Sequence, residues 1–478
     1  MRPVLSDAFV FFGATGDLAF KQIFPALAGL IRDEDFDLPI IGVARSGDLD
    51  TLRARARASL EASGRLDEGV LAKLLARLRY VKGSDDDLAT FHALRTELGE
   101  AAHPLHYLAI PPSLFAPVID NLKRSGCARG ARIIVEKPFG RDLASARSLN
   151  STVHRAFGEA SIFRIDHYLG KEPVQNLLYF RFANSFLEPI WRREYVASIQ
   201  ITMAEAFDVA DRGAFFDQAG TIRDVVQNHL LQVISLLAME APSGQTPEAV
   251  RNQQFKVLDS LRPLRSEDVV RGQYRGYRSV KGVAPDSSVE TFVALRLHLD
   301  TWRWGGVPIY VRAGKALPVT ATEVLVELRQ PPEMVFAEIE PPDGNHLRFR
   351  LTPDMSISLG ARAKRPGEAM LGEAVELFAR HQSGVERPPY QRLIGDARRG
   401  DQSLFAREDS VEAAWRVIDP VLRTQPPIHE YVRGSWGPAA AAAVLAHGDH
   451  WHDPLAAPAP APAPDPAAAS ASESSLPS

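Results

Sequence analysis

Cysteine is almost missing from these 478 residues. Cys127 stands alone, so no disulfide forms within the chain and no thiolate metal cluster can be built. Lysine is scarce too: ten of the 55 basic residues are Lys and the rest are Arg. A lysine inside a motif is therefore more informative here than elsewhere. No excess of one charge is present. Lys+Arg 55 against Asp+Glu 59 leaves a net charge of −4, which argues against a general nucleic-acid binder with its basic surplus. No apolar run approaches the roughly 18 residues that a membrane span needs. The short apolar run after residues 1–8 ends in a glycine turn and reads as a strand, not a signal peptide. What remains is an expectation of a cytoplasmic protein of two or three domains, with no nucleic-acid or membrane partner.

Residues 1–165 alternate short apolar runs with helical spacing. Ala8–Phe12, 39–43, 105–110 and 132–135 are the candidate strands, and 14–30 has the spacing of a helix. This alternation predicts a parallel sheet of βαβ units. After residue 166 the pattern changes. Residues 221–239 read as one amphipathic helix, while 290–299, 309–312, 323–328 and 346–351 alternate as antiparallel strands do. An α+β domain is expected there. Residues 456–478 are an Ala/Pro/Ser tail without aromatic or β-branched residues, and are expected to be disordered.

The first strand runs into Phe11-Phe12-Gly13-Ala14-Thr15-Gly16-Asp17-Leu18-Ala19. Glycines permit a tight turn and close backbone approach, and the helix start offers N–H groups and partial positive charge to a pyrophosphate. Spacing alone is weak, since an ordinary βα turn can look the same. The strand–turn–helix context favours a dinucleotide. The second strand ends in Val43-Ala44-Arg45-Ser46. An NAD enzyme usually carries an acid here for the ribose 2′-hydroxyl, whereas an Arg pairs with the 2′-phosphate of NADP. NADP is thus the expected coenzyme; a solvated surface Arg is the bland alternative.

Three further segments carry charge at the ends of apolar runs. Glu136-Lys137-Pro138 closes a buried strand, at the edge where open α/β sheets bind ligands. Arg164-Ile165-Asp166-His167-Tyr168-Leu169-Gly170-Lys171 is the densest polar cluster. A helical turn would put His167 and Lys171 on one face. Alternatively, Gly170 ends a loop and Pro173 opens a helix, placing both near its positive end. Either arrangement suits a dianionic phosphate, and a polar domain-boundary loop is the competing reading. His229 lies four residues after Val225 and four before Val233, on the apolar stripe, where a satisfied core histidine is the commoner outcome. Glu205 and Asp224 are carboxylates suited to ordering sugar hydroxyls. Lys315 ends a strand. His447, His450 and His452 are a poor zinc site, because no Cys supports them and Gly448 interrupts the run.

In this order the segments resemble the glucose-6-phosphate dehydrogenases, over residues 11–451. The Arg164–Lys171 run and Arg223-Asp224-x-x-Gln227-Asn228-His229 are the most specific, with Gly314-Lys315 and Gly434-Ser435-Trp436-Gly437-Pro438 behind them. The resemblance implies an α/β Rossmann domain with a doubly wound parallel sheet over residues 1–165. An α+β domain with a large, mostly antiparallel sheet would follow over 166–455, for substrate binding and dimerisation. It implies oxidation of glucose 6-phosphate at C1 to the lactone, hydride going to NADP, in homodimers or homotetramers. It further implies that His229 is the base and Asp166 its partner. His167, Tyr168 and Lys171 would hold phosphate, and Glu205, Asp224 and Lys315 the sugar. Lys137 would stand between coenzyme and substrate, and Gly13, Thr15, Gly16, Asp17, Leu18 and Arg45 would take the coenzyme. No metal is implied. The bond before Pro138 is a candidate cis peptide. Two positions depart from the family pattern: Gln22 and Thr320 stand where many relatives carry lysine.

Two other readings compete. A free-sugar or inositol oxidoreductase would share the glycine turn and Glu136-Lys137-Pro138, but not the Arg164–Lys171 run; glucose against glucose 6-phosphate separates the two. A catalytically silent NADP-binding or partner-binding protein would explain the missing lysines, but not the presence of His229, Asp166, Lys137 and Lys171; NADPH absorbance with glucose 6-phosphate in wild type and His229→Asn decides between them.

Overall fold

The structure, a computed structural model, describes residues 4–331, 344–367, 370–380 and 387–456. The expectation for 456–478 therefore lies almost wholly outside the described residues. Among the described residues, sixteen strands follow in chain order. The first six are β1 (Ala8–Phe12), β2 (Ile40–Ala44), β3 (Leu78–Lys82), β4 (Pro104–Leu108), β5 (Arg132–Glu136) and β6 (Ile162–Ile165). Then come β7 (Val196–Ala204), β8 (Val269–Tyr274), β9 (Phe292–His298), β10 (Pro308–Gly314) and β11 (Ala321–Leu328). The last are β12 (His346–Thr352), β13 (Ser356–Lys364), β14 (Gly372–Arg380), β15 (Phe405–Ala406) and β16 (Ile428–Tyr431).

The first sheet has the order β15-β6-β5-β4-β1-β2-β3. Strands β1 to β6 pair in parallel, and β15 is added antiparallel to β6. This is the doubly wound order with its reversal between β1 and β4. The sequence explains it: all five residues of β1 are buried, with Val10 and Phe12 in one core and Phe9 and Phe11 in the other. A strand apolar on both faces needs helices on both. One of those helices, Pro389–Arg399, arrives from late in the chain. Its Leu393, Ile394 and Ala397 enter the Phe9 core, and Gln391 donates to Asp33 at 2.8 Å.

The second sheet has the order β14-β13-β12-β11-β7-β10-β9-β8-β16. It is antiparallel except for the β7–β10 and β8–β16 pairs. No described helix is long and apolar enough to cross a membrane.

Two predicted helices are locally different from expectation. Residues 14–30 begin as a turn, pass through a π-helical stretch at Ala19–Ile23, and become α-helical only at Phe24–Asp33. Residues 221–239 are not one α-helix. A π-helix, Ile222–Leu230, precedes the α-helix Leu231–Ala238, and Gly220 at φ 66° sets a kink before it. Apolar spacing over a stretch buried at all but two half-buried positions, Arg223 and Asp224, does not separate a period of 3.6 from a wider one.

Candidate active site

Parallel strands bring their carboxyl ends to one edge. Arg45 follows β2, Gly13 follows β1, Ala109 follows β4 and Lys137 follows β5. From β2 to β5 is three strand spacings, about 14 Å. The glycine turn sits mid-way. Gly13 has φ +75°, and a Cβ there would meet the Ala109 carbonyl oxygen at 2.3 Å, so only glycine fits. Gly16 N–H donates to Gly13 O at 2.8 Å, closing the turn. Arg55, which the sequence reading passed over, donates to Gly16 O at 3.0 Å and lies over the Phe20 ring. Arg45 is exposed at the rim. A bare turn, a helix start behind it and a rim guanidinium fit a phosphorylated dinucleotide.

The Asp166–Lys171 segment takes the second of its two open geometries. Asp166 to Gly170 is a turn, in which the Tyr168 N–H donates to Asp166 Oδ1 at 3.0 Å. Lys171 then caps the helix Glu172–Ala183, with Pro173 in its first turn. The bond between Lys137 and Pro138 is cis.

These elements converge on His229, which is 4% exposed. Its Nδ1 is 2.5 Å from Asp166 Oδ1, and its Nε2 is 3.0 Å from Lys137 Nζ. A carboxylate accepts and an ammonium donates. The neutral imidazole therefore carries its proton on Nδ1 and keeps its lone pair on Nε2. Lys137 Nζ also reaches Asp224 Oδ1 at 3.2 Å. His229 stacks on the Tyr168 ring at 4.5 Å and meets the His167 ring edge-on at 4.6 Å. The Lys171 ammonium lies 3.9 Å from the centre of the same Tyr168 ring. Glu205 and Lys315 form an ion pair; Lys315 is among the charges that lower Asp224, and Glu205 among those acting on Tyr168. Apart from the glycine turn and Arg45, all the candidate residues thus form one continuous electrostatic cluster.

Burial opposes charge on His229, Asp166, His167 and Asp224. Burial pushes His229 below its ordinary value, and Asp166 pulls the other way without restoring it. Burial also works against the Asp166 carboxylate, but His229, His167 and Lys137 together hold it well below the usual carboxylate range. His167 is pulled down to about 3 by burial and by the neighbouring His229. Burial works against the Asp224 carboxylate, but Lys137, His229 and Lys315 together hold it below its ordinary value. The result is a neutral base locked between an anion and a cation.

Tyr107, Tyr390 and Thr322 escaped the sequence reading. Tyr107 donates to Glu136 at 2.5 Å, and burial lifts that carboxyl to about 7. Tyr390 lies parallel to His167 at 6.4 Å, and Thr322 Oγ1 is 3.1 Å from the Tyr168 hydroxyl. Only the assembly of separate strands and a late helix brings them to the site. Gln22 is exposed, and Thr320 Oγ1 accepts from Ala206 N–H at 3.0 Å.

Ligand atoms of Asp166, His167 and His229 lie within 4.8 Å of one another. Both His229 nitrogens already face partners, which leaves none for an ion. His154, Glu159 and Glu408 are similarly close, but Glu159 is paired with Arg164 at 2.7 Å, which repels a cation. Of the His447–His452 run, His452 is tied to Glu323 at 2.8 Å.

A dinucleotide cradle opposite a buried imidazole and an ammonium defines an oxidoreductase. Residues 10–176 match the NAD binding domain of glucose-6-phosphate dehydrogenase and residues 178–452 match its C-terminal domain. The chain is 44% identical to glucose-6-phosphate 1-dehydrogenase 1 of Mycobacterium bovis, over 94% of its own length and 97% of that protein. The crystal structure of the Mycobacterium avium glucose-6-phosphate 1-dehydrogenase superposes with a TM-score of 0.89 at 45% identity, covering 94% of this chain and 99% of that one. A glucose-6-phosphate dehydrogenase in complex with its substrate glucose-6-phosphate gives 0.87 at 35% identity, covering 95% and 100%. The chain belongs to the glucose-6-phosphate dehydrogenase family.

Proposed function

We propose that this chain oxidises C1 of glucose 6-phosphate to 6-phospho-D-glucono-1,5-lactone with NADP as coenzyme, the first step of the oxidative pentose phosphate pathway. One observation carries the reading: a His229 whose Nε2 lone pair is turned to Lys137 while Asp166 holds Nδ1. With the C1 hydroxyl in place of the ammonium at Nε2, that nitrogen takes the hydroxyl proton, and Asp166 stabilises the imidazolium that forms. NADP, held by Gly13, Thr15, Gly16, Asp17, Leu18 and Arg45, supplies the hydride acceptor. Lys137 stands between the two ligands and orients both His229 and Asp224. His167, Tyr168 and Lys171 bind the phosphate; Glu205, Asp224 and Lys315 hold the ring. Residues 1–165 serve the coenzyme, and 166–455 serve the substrate and pair copies of the chain, as a homodimer or homotetramer, through the large sheet. The setting is the cytoplasm.

The decisive test is absorbance of NADPH with glucose 6-phosphate and, separately, with glucose. Rapid reduction with the first and negligible reduction with the second is expected; equal rates would return the chain to the free-sugar oxidoreductases. Phosphate rests on few cations, because Gln22 and Thr320 contribute none. Lys171→Ala should raise KM for glucose 6-phosphate at least tenfold, about 1.4 kcal/mol. An unchanged KM would remove Lys171 from the phosphate site. Initial rates with both coenzymes should favour NADP, and Arg45→Ala should narrow the gap. A chain that prefers NAD outright refutes the role given to Arg45.

A further inference from the structure

Asp224 and His229 are five residues apart, and both approach Lys137 Nζ, at 3.2 and 3.0 Å. On an α-helix, positions five apart point about 140° away from each other. A π-helix closes its bonds over five residues and brings them onto one face. The π-register of Ile222–Leu230 is therefore what lets one ammonium touch both groups.

Two side chains outside the proposed chemistry hold that register. Asn228 sits in the ladder: its Oδ1 accepts the His229 N–H at 2.6 Å, and its Nδ2 donates to Arg223 O at 3.3 Å. The His229 N–H thereby has a side-chain acceptor from within the π-helix itself. Glu290, just before β9, caps the other end. Its Oε1 accepts the Ile222 N–H at 3.1 Å, and its backbone carbonyl accepts Thr221 N–H at 3.1 Å. Glu290 is 4% exposed at the side chain and is itself fixed by Arg271 at 3.1 Å. Gly220 makes room for it, since a Cβ there would meet Glu290 Oε1 at 2.5 Å. The neighbouring Thr291 carbonyl accepts the Lys315 N–H at 2.9 Å, so one dipeptide anchors both walls of the site.

We propose that Asn228 and Glu290 are positioning residues that hold the π-register and thereby keep Asp224 and His229 together on Lys137. The proposal rests on the functional reading above, in which His229 is the base. The test compares full-length wild type, Asn228→Ala, Glu290→Ala and Glu290→Gln. Three quantities are read: kcat and KM with glucose 6-phosphate and NADP, NADPH affinity by fluorescence titration, and the far-downfield proton resonance of His229 Nδ1–H, assigned by its loss in His229→Asn. Both alanine variants should lose kcat on the order of 100-fold, with NADPH affinity within about twofold of wild type and the resonance shifted or broadened. Glu290→Gln retains an acceptor for the Ile222 N–H and should keep most of the activity and the resonance. Wild-type kcat and an unmoved resonance in both alanine variants overturn the proposal. So does a kcat loss matched by an equal loss of NADPH affinity, which marks general unfolding. Should Glu290→Ala not fold, Asn228→Ala decides, because it leaves the Arg271–Glu290 pair intact. A wild type without turnover overturns the functional reading, while the resonance, which needs none, still decides on the register.

Discussion

His229→Asn should lower kcat on the order of 10³-fold or more, about 4 kcal/mol of barrier. Asparagine is close to imidazole in size and polarity, and its amide can still face Asp166 and Lys137. Packing against Tyr168 changes little, so KM for glucose 6-phosphate should stay within a few-fold of wild type. What disappears is an acceptor whose basicity suits proton transfer. Steady-state NADPH formation measures this directly, and coenzyme binding in the variant confirms an intact fold. A variant retaining a tenth of the wild-type kcat would show that water or another group takes the C1 proton. In wild type, burial keeps the imidazole below its ordinary pKa. The fraction in the basic, neutral form therefore stays high well below pH 7, and the acid limb of kcat/KM should fall under the ordinary histidine range.

The sheet architecture was legible from local pattern. The apolar run Ala8–Phe12 is a strand with the same ends, 39–43 is shifted by one residue at each end from the observed Ile40–Ala44, and 132–135 is one residue short of Arg132–Glu136. Such strands are recognisable because burial on both faces demands continuous apolar residues. The polar residues that converge were visible as motifs, each tied to a strand end or helix start. Their mutual geometry was not. His229 read by its position more readily as a core histidine, since its burial is real and only the partners across the fold, Asp166 and Lys137, distinguish the two cases. The π-register was hidden because it depends on Asn228 bonding inside the helix and on Glu290 arriving from 68 residues away. Tyr107 and Tyr390 were hidden for the same reason: they reach Glu136 and His167 from separate elements, one of them the late helix Pro389–Arg399 that returns to the first sheet.

Asp166→Asn should cost about 100-fold in kcat, and the hydrogen-bond pattern says why it should cost less than Asp166→Ala. Oδ1 accepts from both the Tyr168 N–H and His229 Nδ1, while Oδ2 is buried with no hydrogen-bond partner among the described residues. An asparagine amide placed with nitrogen at the Oδ1 position would set donor against donor at Tyr168. It is therefore held with oxygen there, and it still accepts the Nδ1 proton. The tautomer survives, with the lone pair left on Nε2. Only the negative charge is lost, and with it the stabilisation of the imidazolium as the C1 proton arrives. Asp166 is an influence that raises His229, so its neutralisation moves the acid limb of kcat/KM to lower pH while weakening the base. Alanine removes the acceptor as well, freeing the imidazole to turn or to change tautomer, and should cost roughly tenfold more. Side-by-side pH profiles of the two variants test the argument. A near-wild-type kcat in Asp166→Asn, or an acid limb that rises in it, would mean that orientation of the ring, and not the charge beside it, is what Asp166 provides; equal losses in both variants would mean that the charge alone counts.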